Sequence, residues 1–204
     1  MIARLSMFAL CAALAATPVL AKDKAPFACA GVFGIESSEA LVTRTYGKEN
    51  VVTGEVPGPE GTTVLATTVF PDDPEKAIRF GWWNEQDLTD LSYADLAPGM
   101  SGPKGLRTGL TVAELQELNG APFVLSGFGW DYGGFAGFET GELANLPGGC
   151  IVSVRLSPGE YPQDLDVDAV MGDREVSSNN PLLERMDVRV QSVTVGYSHP
   201  DFRN

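Results

Sequence analysis

Residues 111–138 change hydrophobic period part-way along, and the change predicts a short helix running into a strand. Thr111 and Glu114 stand in the capping-box relation, in which the hydroxyl takes an amide hydrogen of the first turn and the carboxylate reaches back to the cap's own amide. Asn119-Gly120 supplies a left-handed stop. From Phe123 the period becomes two. Val124, Ser126, Phe128, Trp130 and Tyr132 fall on one strand face, and Phe123, Leu125, Gly127, Gly129 and Asp131 on the other.

A similar pattern occurs earlier. With Gly47 aligned on Gly120, Ser38 falls on the Thr111 cap, Val42 on Leu115, and Val51-Val52 on Val124-Leu125, although this copy lacks the capping-box glutamate. Both stretches read as a hydroxyl-capped helix that ends at glycine and enters a strand. A tandem duplication is expected on this basis, with halves at 22–105 and 106–204; the same pattern also suits one compact domain over 22–204.

Residues 62–70 and 77–83 are β-rich runs around a Pro-Asp turn and predict a hairpin. Residues 87–107 read as a connection holding at most one short strand. Residues 141–143 and 150–156 are expected to continue the sheet, and 163–171 to be helical. Asn180 can cap a helix with Pro181 at its first position. Residues 188–197 alternate as a strand suited to a central place. The fold class is therefore α+β, an antiparallel sheet with short helices packed on one face.

The motifs Thr111-x-x-Glu114-Leu115-x-x-Leu118-Asn119-Gly120, Gly127-Phe128-Gly129-Trp130-Asp131-Tyr132-Gly133-Gly134 and Gly172-Asp173-Arg174-Glu175-Val176-Ser177-Ser178 resemble those of a family of small exported bacterial proteins without an assigned activity. The resemblance covers most of the chain after residue 21 and implies no catalytic residues. More loosely, paired helix-plus-sheet units are similar to tandem-repeat β-lactamase-inhibitor proteins and small outer-membrane assembly lipoproteins. That second likeness is one of fold pattern only.

Composition fixes the expected compartment. Residues 1–21 carry Arg4, an apolar run and Val19-Leu20-Ala21, the signature of a cleaved secretory signal; Pro18 and Lys22-Asp23-Lys24 make the run too short for an anchor. Cys11 leaves with the signal. Cys29 and Cys150 remain, an even pair that in an oxidising compartment forms one disulfide, the alternative being two buried free thiols. The expected locale is periplasmic or secreted. The formal charge is −13, which argues against nucleic acid and anionic membrane surfaces as partners.

Catalytic apparatus is sparse. The single histidine, His199, lies in the carboxyl-terminal tail and reads as an exposed residue, so Ser–His and Cys–His catalysis are disfavoured, and no zinc or phosphate-loop spacing exists. No cofactor is expected. Asp164, Asp166, Asp168 and Glu175 have the spacing of a calcium loop, but Ala169 stands where the sharp-turn glycine belongs, and an acidic turn is the stronger reading.

The aromatic residues are the better candidates. Trp82 and Trp83 must point to opposite faces, so one is expected to meet solvent. The candidate binding set is Trp83, Trp130, Asp131 and Tyr132. The leading expectation is a non-enzymatic exported protein that binds an envelope protein or cell-wall component. The alternative is a carboxylate-dependent glycan hydrolase using Asp131 and Glu139. A third reading, a small-molecule module, requires an apolar pocket near Trp83 or Trp130.

Overall fold

The computed structural model describes residues 27–203, so the expected signal at residues 1–21 lies outside the described residues. The chain forms helix α1 (Glu39–Tyr46), strands β1 (Val51–Pro57), β2 (Thr63–Val69), β3 (Ile78–Asn84) and β4 (Thr89–Asp95), helix α2 (Val112–Asn119), strands β5 (Val124–Ser126), β6 (Phe135–Gly137), β7 (Ile151–Ser157) and β8 (Glu175–Ser177), helix α3 (Pro181–Arg185) and strand β9 (Arg189–Gly196). All nine strands join one antiparallel sheet in the order β1-β2-β3-β4-β9-β7-β6-β5-β8. This is the expected α+β class.

The helices start where their caps place them. The Ser38 hydroxyl accepts the Leu41 amide, and Thr111 and Glu114 form both halves of the capping box before Gly120 ends α2 with φ +69°. Asn180 caps α3 with Pro181 in its first turn. Each helix buries an apolar stripe, with Val42 from α1, Val112 and Leu115 from α2, and Leu183 from α3. Against them the sheet presents Val69, Phe80, Trp82, Leu91, Val195, Val193, Val154, Leu125 and Val176, all buried. Phe80 stacks between Phe33 and Trp82, and the Trp82 indole donates to Thr67 Oγ1 at 3.0 Å.

Four expectations change. Residues 87–107 hold a complete strand, β4, because Leu91 and Ala94 are buried and the strand pairs on both sides; left-handed Leu88 and Asp90 (φ +52° and +63°) turn the chain into it. The strand from Phe123 stops at Ser126. Beyond it Gly129 and Gly134 adopt φ +87° and +78°, so Phe128, Trp130 and Tyr132 do not share a strand face. Residues 141–143 form a turn rather than a strand, tied to α2 through Asn119. Residues 163–171 are not a helix; only Asp168–Val170 makes a 3-10 turn, since the surrounding carboxylates are exposed and offer no apolar stripe to bury.

Two halves of the chain meet at the β4–β9 pair. Read inward from each edge, the order is β1, β2, β3, β4 on one side and, inside β8, β5, β6, β7, β9 on the other. Cys29 and Cys150 are disulfide-bonded, tying the segment before α1 to the start of β7. Among the described residues no helix is long and apolar enough to cross a membrane.

Candidate functional site: the open face of the sheet

Strand alternation puts a second set of side chains opposite the helices, and register links them into one row. Val52, Thr68, Arg79, Asp95, Thr194, Ser153, Gly137, Val124 and Ser177 are successive cross-strand partners, one from each of the nine strands. Every one is half-buried or exposed, in contrast to the buried row behind it. A neighbouring row runs Gly54, Ala66, Gly81, Tyr93, Gly196, Ile151. Its small residues are needed: a side chain at Gly81 would strike the Tyr93 ring, and one at Gly196 the Ser92 carbonyl. The Tyr93 ring therefore lies over Gly81 on β3.

The sheet is curved. The Tyr132 hydroxyl donates to Glu60 Oε1 at 2.8 Å, joining the loop before β6 to the tip of the β1–β2 hairpin. Five strand spacings separate β2 from β6, about 24 Å in a flat sheet. The loop lies on the open side, because Arg155, which faces that side, donates to the carbonyls of Asp131 and Gly133, each at 3.2 Å. The hairpin thus curls toward the open face and makes it concave.

At its centre the face is polar and at its margins apolar. Asp95 accepts from Thr194 Oγ1 at 2.7 Å, and burial raises its pKa above the ordinary carboxyl value. Arg79, its cross-strand partner, has a buried Nε without a hydrogen-bond partner among the described residues. Arg155 lies 5.1 Å over the Phe135 ring. Around them Val52, Trp83, Val124, Phe135 and Ile151 are exposed, Ile151 by 56 %.

The raised pKa of Asp95 fixes the sign of its linkage. Its contribution to stability is fully present below the unfolded carboxyl pKa and is lost as pH rises through the folded one. Asp95→Asn keeps an acceptor for Thr194 without the charge. It is expected to melt above wild type at pH 7, with the gap closing toward pH 3, as thermal melts across that range will show.

The candidate residues from sequence are dispersed. Trp83 sits at the end of β3, its indole donating to the Tyr197 carbonyl at 3.0 Å and its ring 4.9 Å from His199. Trp82 is buried and Trp83 exposed, as adjacent strand positions require. The tail is held rather than free: His199 is half-buried, and Arg203 pairs with Asp90 at 2.6 Å. Trp130 is half-buried in the loop after β5, where its indole donates to Gly127 of the same loop at 2.9 Å and its ring meets Tyr132. Asp131 and Tyr132 are exposed beside it. Trp83 belongs to β3 and the loop precedes β6, four places away in the strand order.

Asp131 and Glu139 flank β6 at its two ends, and Glu139 borders a hollow that excludes Asp131. Asp164, Asp166 and Asp168 are exposed, and Glu175 is taken up by β8 in pairing with Ser126. Among the described residues no three His, Cys, Asp or Glu side chains come together to hold a metal ion. Beside Trp83 an open hollow of about 340 Å³ is lined in part by Val64, Gly81 and Tyr93, on the same face of the sheet.

Comparison with family models, curated proteins and solved structures finds no match. Sequence reasoning missed Phe135, Arg155, Val124 and Ile151 as surface residues. The signal was present for Ile151, an apolar residue at the polar phase of an alternating strand, but only the neighbouring strands reveal that the others share its face.

Proposed function

We propose that this chain is a non-enzymatic binding protein of the bacterial envelope whose concave sheet face docks a protein partner. One observation carries the reading: five of the eight exposed large hydrophobic side chains, Val52, Trp83, Val124, Phe135 and Ile151, lie on this face. A covered sheet face buries such residues, and a free one in a monomer is ordinarily polar. Exposed apolar side chains around a centre with two arginines and Tyr93 have the composition of a docking surface. The disulfide supports an oxidising compartment, and the periplasm is part of the proposal. The inward-mirrored strand order supports a duplicated helix–glycine–strand unit.

The test pairs Val124→Arg/Ile151→Arg with Ala113→Arg on the solvent side of α2. A photo-crosslinking residue at Ser153 serves as the probe in living cells. All three proteins are expected to melt within a few degrees of one another, because exposed substitutions usually change stability by only about 0.5 kcal/mol. A crosslinked partner should survive Ala113→Arg and disappear with the double arginine variant. Equal crosslinking by both would remove the sheet face as the docking site.

A further inference from the structure

The sheet has two unlike edges. At one end β8 is three residues long, a length that offers little to a further strand. At the other end β1 runs for seven residues and pairs only with β2, along its full length. Hydrogen bonds beyond both ends of β1 fix which residues face outward. The Phe70 amide donates to the Asn50 carbonyl and the Gly58 amide to the Thr62 carbonyl, each at 2.8 Å. Positions 50 and 58 thus bond inward, and by alternation so do 52, 54 and 56. The Val51 amide donates to the Lys48 carbonyl, while the amides of Thr53 and Glu55 point away from the sheet with no strand beside them among the described residues, as do the carbonyls of Val51, Thr53, Glu55 and Pro57.

This edge is self-complementary about Thr53. In an antiparallel pair of two β1 strands centred there, Thr53 meets its own copy and Val51 meets Glu55. The Thr53 and Glu55 amides of each copy then find carbonyls, giving four ladder bonds across the twofold axis. The charges agree with this register, since Glu55 lies opposite valine and not opposite the second Glu55. The surface agrees as well. Val52, 55 % exposed, falls opposite Gly54, where a Cβ would meet nothing within 4 Å, so the valine of each copy covers the bare backbone of the other. Pro57, which has no amide hydrogen, sits outside the paired residues.

We propose that β1 pairs with β1 of a second copy, giving a twofold dimer with one continuous sheet of eighteen strands. The pairing takes up Val52 but leaves Trp83, Val124, Phe135 and Ile151 on the concave face of each copy accessible, so the docking proposal is tested separately. A formal charge of −13 per chain opposes association, and salt should therefore promote it.

Three variants test the register. At the centre of a hydrogen-bonded pair the two Cα atoms are about 5.5 Å apart, within disulfide reach. Thr53→Cys should form a covalent dimer on mild oxidation. Glu55→Cys should not, because the two positions 55 lie about 13 Å apart along the strands. Thr53→Pro removes an outward amide and no rung of the β1–β2 ladder, so the fold should persist while the dimer is lost. Analytical ultracentrifugation of the purified protein, at low and high salt, supplies the second readout. A wild type that dissociates on dilution, shifts toward dimer with salt and becomes monomeric with Thr53→Pro bears the proposal out. A monomer at all concentrations, a dimer that survives Thr53→Pro, or equal crosslinking at positions 53 and 55 overturns it.

Discussion

Replacing Asn119 with leucine is expected to lower stability by about 3–6 kcal/mol while leaving shape and volume almost unchanged. Asn119 is fully buried at the last turn of α2. Its amide group donates to the carbonyls of Ala121 and Thr140, each at 3.0 Å, and its Oδ1 accepts the Leu143 amide at 3.1 Å. The three backbone groups belong to the helix exit and to the turn at 141–143, where a side chain on Gly141 would collide with Asn119 itself. Leucine leaves all three without these partners; the buried Leu143 amide costs roughly 1–3 kcal/mol, and the carbonyls of half-buried Ala121 and exposed Thr140, which water can reach, cost less each, about 3–6 kcal/mol together. Asn119→Asp separates hydrogen bonding from volume. An aspartate there still accepts from Leu143 but faces two carbonyl oxygens, so its folded pKa is raised. Its stability should be greatest below the unfolded carboxyl pKa and fall as pH rises through the folded value. Urea titrations at pH 4 and pH 7 will check both; a leucine variant within 1 kcal/mol of wild type would show that the turn finds other partners.

Asn119 also shows what the sequence could and could not disclose. The pair Asn119-Gly120 was legible as a helix stop because that signal is local: glycine takes the left-handed angle wherever the chain needs it. The long-range task of the asparagine side chain depends on residues 21 and 24 positions away, and no spacing rule contains that. The same division holds elsewhere. The caps of α1, α2 and α3 and the alternation in β7 and β9 are readable from a few neighbouring residues. Strand β4 was hidden because Leu88 and Asp90 take left-handed angles, which sequence assigns to glycine by default. The loop at 127–134 was hidden for the opposite reason. Its alternation of aromatics and small residues imitates a strand, but a side chain at Gly127 would meet the carbonyls of Val170 and Gly172, so the chain there leans on its neighbours and turns away. The open face, finally, is a property of nine strands in register, and the order β4-β9-β7 that assembles it is not contained in any one of them.

Removing the disulfide is the other change expected to have a large effect. The cysteines are 121 positions apart, and on the chain-entropy account closing so long a loop stabilises the fold by about 5 kcal/mol. In a chain of this size each kcal/mol moves the melting temperature by about 2–4 °C, so Cys29→Ala/Cys150→Ala should melt roughly 10–20 °C below wild type. The loss should be uneven. Residues 35–38 are held by backbone bonds to the start of β4, with the Leu91 amide donating to Ile35 and the Asp90 amide to Ser37. Residues 27–34 have no such ladder. They are fixed by the disulfide, by the Tyr197 hydroxyl donating to the Phe33 carbonyl at 3.0 Å, and by Phe33 stacking on Phe80 at 5.6 Å. Gly148, whose bare Cα allows the Cys29 backbone to approach, shows how tightly this segment closes on the turn before β7. Without the bond, amide exchange should quicken first in residues 27–34 and in the turn at 146–150, before the central β4–β9–β7 strands. Exchange measured by mass spectrometry with and without reductant distinguishes this from a uniform loss. Equal quickening across the central strands would mean that the disulfide braces the whole sheet and not the segment it anchors.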